Sequence, residues 1–180
     1  MTTELDWNKK YIILFQSTID TTLRNFQYKF IHRLTTTNTM LFRYKLSNSN
    51  LCDFCGSNIE TFHHLFWECT IVQNLWSELH SFLLSINIEF SYNKETVFFG
   101  ELKNNINGNV INFIIILMKY YIFKMKYQKQ KPTLDVFKNF LMLRIQIEEE
   151  IGLSNDKLEL QKQKWNKLSN ALTNILQQQK

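Results

Sequence analysis

LCDFCGSNIETFHHLFWEC, residues 51–69, holds all three cysteines of the chain and two of its four histidines. An odd set of cysteines cannot close evenly into disulfides, and so much sulfur and imidazole in one short stretch reads first as a metal site. The spacing is Cys52-x2-Cys55-x8-His64-x4-Cys69. Two cysteines two residues apart suit a tight knuckle turn, in which both thiolates face one ion and nearby backbone N–H groups bond to the sulfurs. Gly56, directly after Cys55, suits the positive φ with which a chain leaves such a turn. The second pair completes a tetrahedron of sulfur and nitrogen, the ligand set and geometry of closed structural zinc sites. Three sulfurs and one nitrogen leave no open position for water, so the expected cofactor is one structural Zn2+ with no hydrolytic role. His63 offers an alternative spacing, and geometry read from sequence favours neither histidine.

His64 and Cys69 lie about 140° apart on a continuous α-helix, so a break is expected near Glu68 or Cys69. Thr70 and Gln73 fit the T-x-x-Q capping box that would start the next helix there. Phe54, Phe62, Leu65, Phe66 and Trp67 crowd the same stretch. Such side chains can stack on unpaired bases, but so many in so short a module read as the surface that docks it onto a larger body.

That body is expected to be helical. Only four glycines and one proline occur in 180 residues, too few for the turns of a sandwich or barrel. Hydrophobic residues make up 44% and aromatics 14%, enough for a packed core and against disorder. DTTLRNFQYKFIHRL, from Asp20, sets Leu23, Phe26, Phe30 and Leu34 on one helical face behind an Asp N-cap. A shorter helix is expected over NTMLFRYKL, and another through Val72, Leu75, Trp76, Leu79 and Leu83. After a mixed stretch at 87–107, further helices are expected over about 109–128, 133–150 and 155–170, the last packing by one narrow edge that includes Leu158, Leu160, Trp165 and Leu168. The fold class is mostly α, a helical domain with a small CCHC knuckle inserted between helices. Its parts are basic N-terminal helices (1–50), the zinc module and following helix (51–86), C-terminal helices (87–170) and a disordered tail (171–180).

Charge and hydropathy narrow the function. VINFIIILMKYYIF, 110–123, is the most apolar stretch, but Lys119 interrupts it short of the roughly 20 apolar residues a bilayer requires, so a buried helix and no membrane partner are expected. MTTELDWNKKY, at the start, has no apolar run behind positive charge, so the chain is not expected to be secreted. An intracellular compartment, nucleus or cytoplasm, is reducing and favours metal over disulfide. The net charge is +5. Arg24, Lys29, Arg33, Arg43 and Lys45 fall between Thr21 and Leu46 with no acidic residue among them, and five more lysines fall between Lys119 and Lys131, again with none. Two such blocks fit a polyanion as partner and fit solvated helix faces equally well on charge alone.

The segment FQYKFIHRLTTTNTMLFRYKLSNSNLCDFCGSNIETFHHLFWECTIVQNLW resembles the zinc-binding region near the C-terminus of reverse transcriptases from LINE-type (non-LTR) retrotransposons. The shared features are F-Q-Y-K-x-x-H-R-L, T-N-x-x-L-F-R, a polar turn, C-x-x-C, and E-T-x-x-H-L-F-x-x-C with Trp76 beyond it. FGEL, INFIIILMKYYIFK, KP-x-L-x-x-FK and K-x-KW are similar too, so the likeness runs from about 5 to 168. The resemblance implies His64, rather than His63, as the fourth ligand. It also implies a role beside a polymerase, holding template RNA or target DNA. It supplies no base-contacting residues; Arg24, Lys29, Arg33, Arg43 and Lys45 are candidates on charge alone.

Polymerase chemistry needs paired carboxylates to hold two metal ions, and the five aspartates (6, 20, 53, 135, 156) are scattered. Glu148, Glu149 and Glu150 are successive helical positions and read as solvent-facing charge. The expected function is a zinc-stabilised, non-catalytic nucleic-acid-binding domain, which could be a truncated retrotransposon product and could work with a polymerase body in trans. The alternative is a structural or protein-interaction module without nucleic-acid binding, marked by more exposed apolar surface than a monomer tolerates, for instance along 110–123.

Overall fold

A computed structural model describes residues 12, 13, 15–101, 106–154 and 158–178. Among them the helices are α1 (Thr21–Ile31), α2 (Asn38–Arg43), α3 (Thr70–Ser85), α4 (Lys94–Phe99), α5 (Ile106–Tyr127), α6 (Leu134–Ser154) and α7 (Leu158–Gln178). No strand forms among the described residues; one isolated antiparallel bridge joins Leu51 and Ile59. The fold is mostly α, with the cysteine stretch set between α2 and α3, as the turn-poor composition requires. The reading of 1–11 lies outside the described residues.

Helix α1 starts where Asp20 accepts from the N–H groups of Thr22 and Leu23 (2.7 and 3.4 Å). It buries Leu23, Phe26 and Phe30. It stops at Ile31, so Leu34 does not join that face and is exposed. The Leu34 N–H bonds instead to the Lys29 carbonyl (2.7 Å) around Arg33, whose φ is 54°. The physical cause is the Thr35-Thr36-Thr37 run, whose branched side chains suit extended backbone, with Thr37 serving as N-cap of α2. Lys45, Asn87 and Lys129 are likewise left-handed just past α2, α3 and α5, a position glycine usually holds because a Cβ there costs ~1 kcal/mol.

Helix α5 is the axis of the core. Residues Val110, Ile111 and Phe113 through Met118 are buried, as are Tyr121 and Ile122. By length and composition it could cross a membrane, yet 78% of the qualifying segment is buried inside the fold. It packs against α1, α6 and α7, and α6 lies along α7. The narrow edge of α7 consists of Trp165, Leu168 and Leu172, all buried, with Trp165 edge-on to Phe113 at 4.7 Å; the side chains of Leu158 and Leu160 lie outside those described. Because Leu172 is buried and α7 runs to Gln178, the expected tail from 171 is helical that far.

Two ionisable side chains of α5 and α6 lie fully inside the fold, and one of them departs from the sequence reading. Lys119, within α5, donates to the Phe98 carbonyl (3.3 Å) and lies over the Phe30 ring at 4.2 Å; burial holds its pKa well below the usual lysine range. Glu148 is not solvent-facing. It is buried and accepts from the Thr18 hydroxyl (2.6 Å), the Ile19 N–H (3.1 Å) and Lys164 (3.2 Å). It thereby ties the segment ahead of α1 to α6 and α7.

Candidate metal centre

The knuckle begins at Cys52, whose carbonyl accepts from the Gly56 N–H (2.8 Å), with Gly56 at φ 69°. A second bond, Cys52 N–H to Asn58 carbonyl (2.8 Å), closes the loop. The chain then re-enters helix at Phe62, with the Thr61 hydroxyl accepting from the His64 N–H at 3.0 Å.

The five-residue step from His64 to Cys69 is solved by a change of helix type. His64–Glu68 form one turn of π-helix, closed by the Cys69 N–H on the His64 carbonyl at 2.9 Å. This wider turn brings both ends of the step together, where an α-helix would splay them. Cys69 then turns extended (ψ 129°) and is itself the N-cap of α3. The break thus falls at Cys69, but Thr70 is the first helical residue and not the cap of a capping box. A helix end leaves carbonyls without in-line partners; the indole N–H of Trp76 donates to that of Phe66 at 3.1 Å.

One ligand atom from each of Cys52, Cys55, His64 and Cys69 lies within 4.8 Å of the other three. Zinc bonds of about 2.3 Å to sulfur and 2.0–2.1 Å to nitrogen give tetrahedral edges of about 3.8 Å (S–S) and about 3.6 Å (S–N). Cys52 and Cys69 sulfurs are 3.9 Å apart, and Cys55 Sγ is 3.4 Å from His64 Nε2. All three cysteines are free thiols, with sulfurs far beyond the roughly 2.05 Å of a disulfide. Donor set and spacing both fit one structural zinc ion.

Hydrogen bonds among the four side chains set their proton affinities. The hydrogen bond from Cys52 lowers the Cys69 pKa against the effect of burial, and the N–H groups of Val72 and Ile71 lower it further. The same bond, with burial, pushes Cys52 up. Burial raises Cys55, but the Ser57 hydroxyl and N–H, the Asn58 N–H and His64 outweigh it and bring the thiol to about 7. Burial opposes protonation of His64, and hydrogen bonding to Cys55 and Cys52 overrides it. Protons shared between donors are what a divalent cation displaces.

His63 is elsewhere. Its ring stacks on Phe98 (5.3 Å, 23°), and burial, then Lys94 and Arg33, lower its pKa. Phe30, Phe62, Phe66 and Phe98 form a ring cluster with centroids 4.8–5.7 Å apart. Phe54, Leu65 and Phe66 are buried and Phe62 and Trp67 pack against the core, so the module's aromatics dock it onto the body.

A buried polar network, not foreseen from the sequence, does the same on the other side. Glu60 Oε1 accepts from the Asn38 N–H (2.7 Å) at the start of α2 and pairs with Lys126 of α5 (3.1 Å). Lys126 donates to Asn38 Oδ1 (2.7 Å), and Asn38 Nδ2 donates to Asp53 (2.9 Å) and the Leu51 carbonyl (2.7 Å). Burial raises the Glu60 pKa while Lys126 and the Asn38 N–H pull it back. The only hint in the sequence was that Asn38 and Glu60 fall in the T-N-x-x-L-F-R and E-T-x-x-H stretches.

Of the charge-based candidates, Lys29, Arg33, Arg43 and Lys45 are exposed. Arg24 is partly buried, and its Nε donates to the carbonyls of Phe15 (3.1 Å) and Thr18 (2.8 Å), which makes it part of the scaffold.

Residues 2–76 match the family described as zinc-binding in reverse transcriptase, so this part of the chain is similar to a reverse-transcriptase zinc-binding region. The match takes in the four clustered residues, α1, α2 and the start of α3, and ends at Trp76, well short of the likeness read from the sequence to about 168. No curated protein and no solved structure matches the chain.

Proposed function

We propose that the chain is a zinc-stabilised, non-catalytic nucleic-acid-binding domain of the LINE reverse-transcriptase kind, with RNA or target DNA as partner and a polymerase body acting in trans. The observation that carries this reading is the state of its cations. Lys29, Arg33, Arg43 and Lys45 are exposed, no acidic residue lies between Thr21 and Leu46, and none of the four has a carboxylate partner among the described residues. Uncommitted cations beside a rigid metal module are what phosphate contacts require. The closed sulfur–nitrogen donor set supports a scaffolding zinc. The other reading, a protein-interaction module, called for more exposed apolar surface than a monomer tolerates; along 110–123 most side chains are buried, and the exposed apolar ones include Leu34, Phe42, Tyr44, Leu46 and Ile59.

Titration of the zinc-loaded protein into labelled RNA and DNA across a salt series tests the proposal. Affinity is expected to fall steeply with salt, with log K losing about 0.7–0.9 per log unit of salt for each phosphate neutralised. Arg33→Gln with Arg43→Gln should weaken binding and flatten that slope while zinc content stays at one per chain. Absence of binding at low salt rejects the reading.

A further inference from the structure

Two exposed lysines, Lys29 and Lys129, line neighbouring clefts, one of which also carries the exposed ring of Tyr127. A cleft of about 560 Å³ lies between the loop after α2, the knuckle and the end of α5; Thr36, Leu46, Tyr127 and Lys129 are among its lining residues. A smaller one, about 210 Å³, is lined by Lys29, Leu34, Thr36 and Phe123 among others. Thr36 belongs to both. Phe123 and Tyr127, one α5 turn apart, are in ring contact at 5.8 Å, so the two clefts form one groove along α5.

The chemistry of that groove is specific. Tyr127 is 76% exposed and Leu46 74%, and neither is needed by the core. The one carboxylate on the groove, Asp53, is already held by Asn38 (2.9 Å) and Lys126 (3.6 Å). Lys129 stands at the end of α5 in left-handed backbone, φ 54°, where glycine would be easier. A cation there also complements the helix dipole, and that purely structural use is what the test must separate from binding.

We infer that this groove takes a single-stranded nucleic-acid segment, with an unpaired base stacked on Tyr127 and the phosphates held by Lys29 and Lys129. An exposed ring beside lysines suits bases that have left a duplex, because every base has a π-face and a paired one cannot present it. The inference rests on the nucleic-acid reading above and deepens it, naming the strand state and the surface.

The experiment uses the zinc-loaded chain and labelled single strands of about 12 nucleotides, within the usual site sizes, as RNA and as DNA, each also annealed to its complement. Single strands of one or both sugars should bind at least about tenfold tighter than duplex. Tyr127→Ala should weaken single-strand binding about tenfold and leave duplex binding unchanged. Lys129→Gly should lower the salt slope by about 0.7 while the melting temperature holds or rises, since glycine relieves the left-handed strain. Equal binding of single strand and duplex, or groove variants that bind like the parent, overturns the groove and leaves the nucleic-acid reading standing. Failure of every probe to bind at low salt overturns both.

Discussion

His63 and His64 are adjacent in sequence and have opposite surroundings: one ring lies against Phe98, and the other points its Nε2 at Cys55. Substitution should separate them cleanly. His64→Ala removes one corner of the tetrahedron, and because zinc binding in such modules is folding free energy, zinc should be lost and the knuckle should loosen. His63→Ala should keep one zinc per chain and cost about 1 kcal/mol from the lost ring stack. Metal content and thermal melts of the two variants check this, and zinc loss from His63→Ala would reassign the ligand. The cysteines were legible in the sequence because nothing else in the chain competes for the role. Spacing alone did not choose the histidine, since the choice depends on a π-turn that spacing cannot reveal; the likeness to the reverse-transcriptase region is what pointed to His64. Glu148 was misread for a related reason: its partners Thr18 and Lys164 come from other elements, and three successive glutamates give no sign of which one faces inward.

Elements carry the next level of the argument, and the knuckle is held between two of them by the Glu60 network. Glu60 caps α2 through Asn38 and neutralises Lys126 of α5, both from a fully buried position. Glu60→Ala leaves Lys126 buried with Asn38 Oδ1 and the more distant Asp53 as its partners and takes the Glu60 acceptor from the Asn38 N–H, so a loss of about 3–5 kcal/mol is expected. Replacing the pair by apolar residues, Glu60→Leu with Lys126→Met, should lose much less, because a buried ion pair is worth little against well-packed side chains. Denaturant unfolding of the two zinc-loaded variants decides this, and equal losses would show that the pair contributes nothing as a pair. Helices α3, α5 and α6 were legible from their apolar periods and from Pro132. The early end of α1 was missed because Leu34 continues the period while the threonines after it end the helix. The network was invisible because it joins residues 38, 53, 60 and 126 across three elements.

At the scale of the whole molecule, one hydrophobic core runs from the cysteine cluster through α1 and α3 to α5, α6 and α7, yet its two ends differ in what supports them. The helical end has α5 buried almost all round and closed by Phe137, Leu141, Ile145, Trp165 and Leu168. The knuckle has one isolated bridge, a few loop hydrogen bonds, buried Phe54, the Glu60 network and the aromatics that dock it, less packing per residue than the helical end has against the same conformational entropy. Zinc supplies the difference, which makes the knuckle the part of the fold most sensitive to its removal. At free zinc about a thousandfold above its dissociation constant, binding adds about 4 kcal/mol. For a chain of this size each kcal/mol shifts the melting temperature by roughly 2–4 °C, so a strong chelator should lower it by about 8–16 °C. Helical signal from α5, α6 and α7 should persist below the lowered transition. Cys52 and Cys69, 1% and 0% exposed, should resist a thiol reagent with zinc bound and react once it is stripped. A stripped protein that melts at the same temperature with both thiols still protected would mean that packing alone holds the four side chains together, and that the ion is a passenger in a site the helices have already built.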